Sequence, residues 1–146
     1  MRESLISATI AGLMLATPVL AEGGYTTYPF DGDFDDATFS LENAIIGQGL
    51  VIDYVSKTGD MLERTREDVG SDVHLFDNAE IFVFCSAALS RKMMEADPMN
   101  LAQCPYGIFV ADQGGKVVIG FRDYPEGIMQ EVQALLDTIV QEATAF

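Results

Sequence analysis

The stretch Tyr106-Gly107-Ile108-Phe109-Val110-Ala111-Asp112-Gln113-Gly114-Gly115-Lys116-Val117-Val118-Ile119-Gly120-Phe121-Arg122 holds two β-rich runs around a glycine pair. Tyr106–Ala111 and Lys116–Arg122 read as strands, and Asp112, Gln113, Gly114 and Gly115 between them are a strong hairpin signal. Strands joined so tightly must be antiparallel, which argues against a doubly wound nucleotide fold. Upstream, Glu80 to Cys85 is apolar on both alternate faces. Such a strand is expected to be central and covered on both sides, by a helix layer and by another layer or a partner subunit.

Working outward, helices and strands alternate. Tyr25 to Phe30 is a short β-like start. Asp35 and Asp36 open a helix with Ala37, Leu41, Ala44 and Ile45 on one face, ended by Gly47 and Gly49. Leu50 to Lys57 has β-branched content, and Thr58 is placed to cap a second helix running to about Val69. A third helix, Ala87 to Ala96, stops at Asp97-Pro98 because the residue before proline avoids the helical region. The last starts near Pro125 and Glu126, with Ile128, Val132, Leu135, Leu136, Ile139 and Ala143 at helical spacing. The predicted fold is α+β: a single, mainly antiparallel sheet with helices packed on one face.

The beginning carries an address. Met1, Arg2 and Glu3 precede an apolar run from Leu5 to Ala16, followed by Thr17, Pro18, Val19, Leu20 and Ala21. This is signal-peptide order, with cleavage expected after Ala21. The run is shorter than the about 20 apolar residues of a membrane span, so no membrane insertion is expected after cleavage. Residues 22–146 are expected to form one domain in the periplasm or outside the cell. The 146 residues carry 23 acids against 8 bases, a formal charge of −15. That balance excludes nucleic acid and anionic lipid surfaces, which bind through Lys and Arg.

Four constellations bear on chemistry. Cys85 and Cys104 are the sole cysteines; in an exported chain they favour a disulfide, with two buried thiols or a redox or metal-binding pair as alternatives. Their spacing is not Cys-x-x-Cys. Met93, Met94 and Met99 lie between them and add soft ligands for monovalent copper, though core packing is the simpler role. His74 is the sole histidine, a weak candidate for a metal or haem iron. The acidic run Asp31-Gly32-Asp33-Phe34-Asp35-Asp36, with Glu42, matches a calcium loop except that Asp36 stands where the turn needs glycine. Helix capping accounts for the run. No nucleophile elbow, phosphate loop or acid–base carboxylate pair is present.

Cys85-Ser86-Ala87, then Met94-Glu95-Ala96-Asp97-Pro98, then Gln103-Cys104-Pro105 leading into the strand from Tyr106, resemble the core of the family catalogued as domain of unknown function 302. The helix at Phe34 to Gly49 fits that family's first helix, and the resemblance extends over roughly residues 25 to 140. It implies a fold like that of the TATA-box-binding protein, often packed as a homodimer, and no established activity; the likeness transfers no DNA binding. The expected function is thus a periplasmic, noncatalytic, homodimeric module that binds a small ligand or a partner protein without a cofactor. Its site is expected in an apolar cleft between helices and sheet near Cys85, Ser86, Cys104 and Pro105. The alternative is a redox or metal (copper or haem) handling protein using Cys85 and Cys104, with Met94, Met99 or His74.

Overall fold

The computed structural model describes residues 24–145. The signal peptide expected over residues 1–21 lies outside the described residues. Five strands, β1 (Tyr25–Pro29), β2 (Val51–Ser56), β3 (Asn78–Cys85), β4 (Tyr106–Gln113) and β5 (Lys116–Arg122), form one sheet in the order β1-β5-β4-β3-β2. Every neighbouring pair is antiparallel, as the hairpin requires. The turn itself is only Gly114–Gly115, with Gln113 paired to Lys116. Both glycines have positive φ, 65° and 78°, the conformation that a two-residue hairpin demands and that glycine adopts without steric cost.

The helices α1 (Phe34–Gly47) and α4 (Gln130–Ala143) pack on each other and on one face of this sheet. Alternation sorts the strands: Phe82, Phe84, Tyr106, Ile108, Val110, Val117, Ile119 and Phe121 point toward the helices and are buried. Leu41, Ile45, Val132, Leu136 and Ile139 meet them with no exposed surface, each contributing about 2 kcal/mol by removal from water. Asp33 caps α1 by accepting from the Asp36 amide at 2.9 Å, so the acidic run serves the helix start. Tyr28 of β1 donates to the Asp137 carboxylate of α4, tying the edge strand to the helix layer.

Several boundaries differ from expectation. The helix α2 (Thr58–Arg64) is capped by Lys57 without a side-chain bond; Thr58 instead lies 3.1 Å from the Ser56 hydroxyl. Turns replace its expected continuation, with Val69 bonded back to Thr65 and Gly70 to Glu67. Between α3 (Ala87–Ala96) and β4 the chain makes a 3-10 turn, Pro98–Gln103, capped by Asp97. The helix α4 begins five residues beyond Pro125: Gly127 has φ 92°, and Gln130 and Gln133 hydrogen-bond the backbone of Tyr124. β3 is interior, between β2 and β4, but the described helices cover only one of its faces. No described helix is long and apolar enough to cross a membrane.

Candidate functional site

The space between helices and sheet is filled by apolar side chains, and the groove that takes in Pro105 lies on the other face of the sheet. Two adjoining grooves cross it, one of about 520 Å³ and one of about 310 Å³, within the about 300 to 1,000 Å³ typical of small-ligand sites. Tyr25, Thr27, Phe76, Ala111 and Val118 line the first. Tyr54, Ile81, Val83, Pro105 and Gly107 line the second. Phe109 and Arg122 belong to both and form the wall between them.

Register explains the arrangement. Phe109 is paired with Gly120 on β5 and Ile81 on β3, while Val83 faces Gly107. Large apolar and glycine positions thus alternate across the strands, leaving troughs beside the Phe109 ring. Phe76, from the segment between α2 and β3, closes one side of the first groove. That segment is held by Gln113, which donates to the Leu75 carbonyl at 3.0 Å.

Arg122 ends β5 opposite Tyr25. Its Nη2 donates to the Gln103 carbonyl at 2.7 Å, and its guanidinium lies 5.2 Å from the centroid of the Tyr124 ring. These contacts fix the side chain, and the other N–H donors of the fork make no hydrogen bond among the described residues. Tyr124 and Tyr106 are buried and meet edge to face, 6.1 Å apart. Burial raises both phenols, Tyr106 to about 12.

Cys85 and Cys104 are brought to the same end of the sheet, but as free thiols rather than the expected disulfide. Cys104 Sγ donates to Ser90 Oγ at 3.6 Å, and Ser90 donates to the Tyr106 hydroxyl at 3.0 Å. Partial desolvation pushes the Cys85 thiol up, with Cys104 beside it adding to the effect. Cys85 is therefore mostly protonated near neutral pH, which makes it a poor nucleophile. Ser86 is occupied as the cap of α3, accepting from the Leu89 amide at 3.3 Å. Pro105 follows Cys104 through a cis bond and lines the second groove.

His74 lies elsewhere. Its ring nitrogens stand 3.0 Å from Glu63 and 3.1 Å from Asp77, and Asp77 precedes the start of β3, while Cys85 is its last residue. At 3.3 Å per residue the cysteines are about 26 Å away along the strand, so His74 cannot join them around one metal. Met93 is buried in the core and Met99 is exposed on the 3-10 turn; Met94, on α3, is half-buried. Among the described residues no three His, Cys, Asp or Glu side chains gather into a metal site.

Phe109, Val118 and Arg122 are not among the residues that the motifs select. A signal is nonetheless present: strands β3 and β4 carry apolar residues at both alternate positions, and one of those faces is the open one.

The sequence profile of the domain of unknown function DUF302 matches residues 26–145. No curated protein matches. Among solved structures the chain is similar to an uncharacterized conserved DUF302 protein from Bacillus stearothermophilus. The TM-score is 0.60 at 15% identity, over 84% of this chain and 94% of that one. At that identity the likeness concerns the fold, while the profile match covers most of the sequence: the chain belongs to the DUF302 family.

Proposed function

We propose that this protein is an exported, noncatalytic binding module, periplasmic or secreted, whose small ligand lies on the open face of the sheet. The observation that carries this is the pair of adjoining apolar grooves walled by Phe109 on an uncovered sheet face. A contiguous apolar surface of that kind marks an interaction site. The same proposal includes a homodimer. Titration with 1-octanol, followed by amide NMR, tests the site. Saturable shifts at Phe109, Val118 and Ile81, weakened about tenfold by Phe109→Ala, are expected. Absence of saturation, or shifts spread evenly over the molecule, overturns the proposal.

A second function, redox or metal handling with copper or haem, is favoured by one observation: two free thiols stand together at the end of β3 and the approach to β4. Native mass spectrometry of the exported protein separates the two. A copper or haem mass favours thiol chemistry. An adduct-free protein, whose two alkylation sites appear only after reduction, favours a structural disulfide formed in an oxidising compartment and a binding role for the open face.

A further inference from the structure

We propose that Arg122 is an anion anchor, so that the ligand of the open face is an apolar molecule bearing a single carboxylate; this rests on the binding site proposed above. Among the residues lining either groove Arg122 alone is charged, and no carboxylate is among them, in a chain with 23 acids. Lys57, Arg66, Arg91 and Lys92 each have a carboxylate partner within 4.0 Å. Arg122, like Arg64 and Lys116, forms no ion pair among the described residues, although acids outnumber bases almost three to one, and of these three it alone lines a groove. Its neighbour Asp123 instead accepts from the Thr26 hydroxyl at 2.8 Å.

The fork is also pre-positioned. The Gln103 carbonyl takes one N–H and the Tyr124 ring supports the guanidinium plane, so little ordering remains when a carboxylate docks on the remaining donors. Tyr25 is its cross-strand neighbour on the same face, next to the first groove. Three strands span about 10 Å, room for a short hydrocarbon chain lying across Val118 and Phe109 with its head at Arg122. The overall negative charge opposes an anion, but charges beyond a Debye length of about 8 Å are screened at physiological salt, and the local donor decides.

The test compares octanoate, 1-octanol and octylammonium, which share one chain and differ in head charge. Octanoate is expected to bind about tenfold more tightly than octanol, and octylammonium more weakly than either. Arg122→Gln should remove the difference between octanoate and octanol, whatever it does to the affinity the two share, and Arg122→Lys should keep part of the preference, which guards against a folding defect in the first variant. Equal binding of octanoate and octanol to the unaltered protein overturns the anchor and leaves the apolar site standing. A preference for octanoate that survives Arg122→Gln also overturns it. If octanol itself does not saturate, the open-face site fails with the anchor.

Discussion

The Phe109 ring lies over Gly120 so closely that a β-carbon at position 120 would stand 2.7 Å from Phe109 Cζ and 2.6 Å from the Thr26 carbonyl oxygen. Gly120 is therefore what lets β1 and β4 flank β5 with an aromatic ring laid on the open face. Gly120→Ala forces either the ring or the β1 backbone to move, and a backbone atom is not displaced cheaply. The expected loss is about 1–3 kcal/mol, seen as a lower denaturation midpoint, with the octanol shifts at Phe109 altered. An unchanged midpoint would contradict this packing.

Gly59 makes a similar approach at the other side of the sheet. Beyond Ser56, β2 no longer pairs with β3, and α2 takes the vacated edge, with the backbone of Ala79 2.6 Å from where a Gly59 β-carbon would be. Covering an edge this way removes a site for aggregation. Gly59→Ala gains about 1 kcal/mol of helix propensity but meets only backbone atoms. The clash should win, with faster hydrogen exchange in α2 and at Ala79 and Glu80. A more stable variant would mean that α2 adjusts freely.

His74 links Glu63, at the end of α2, to Asp77, which also accepts from the Gly114 amide at 2.7 Å. Hydrogen bonds to Glu63 and then Asp77 raise His74 above its ordinary 6.5. A raised pKa contributes stability that is present below the unfolded value and lost as pH climbs through the folded one. Glu63, lowered chiefly by His74, and Asp77, lowered chiefly by the Gly114 amide, contribute above their ordinary 4.5 and 3.8 and lose that contribution in acid. Protection of residues 65–77 from exchange should thus be greatest in mildly acidic solution and decline as His74 deprotonates. In His74→Gln the alkaline-side decline should vanish; if it persists, another group governs the segment.

The sheet was legible because its hairpin has a local cause in Gly114–Gly115, and α1 because Asp33 and the Ala37, Leu41, Ala44, Ile45 stripe agree. The start of α4 was not, since Gly127 and the side chains of Gln130 and Gln133 satisfy a loop after Tyr124 through bonds that periodicity cannot show. Nearness of Cys85 to Cys104 follows from chain order around α3. The groove does not: Phe109, Val118 and Arg122 meet only through strand register. Apolar residues on both faces of β3 point to a second covered surface; the described helices of one chain lie on one face only, so the other is left for a ligand or a partner subunit.

Tyr106 and Tyr124 offer two nearly equivalent rings with opposite hydroxyl circumstances. The Tyr106 hydroxyl accepts from Ser90 at 3.0 Å, whereas the buried Tyr124 hydroxyl makes no geometrically well-formed hydrogen bond among the described residues, Arg122 nearby only partly offsetting the rise from burial. A satisfied hydrogen bond is worth about 1 kcal/mol net, and an unsatisfied buried polar group costs about 1–3 kcal/mol. Replacing each tyrosine by phenylalanine keeps the edge-to-face contact and removes only the oxygen. Tyr106→Phe should lower stability by about 1 kcal/mol, and Tyr124→Phe should leave it unchanged or raise it by up to about 1 kcal/mol. Urea denaturation of the two variants distinguishes them, and an equal loss in both would show that Tyr124 has a polar partner after all. Because the phenyl ring left by the second substitution would still support the Arg122 guanidinium, octanoate binding should survive Tyr124→Phe.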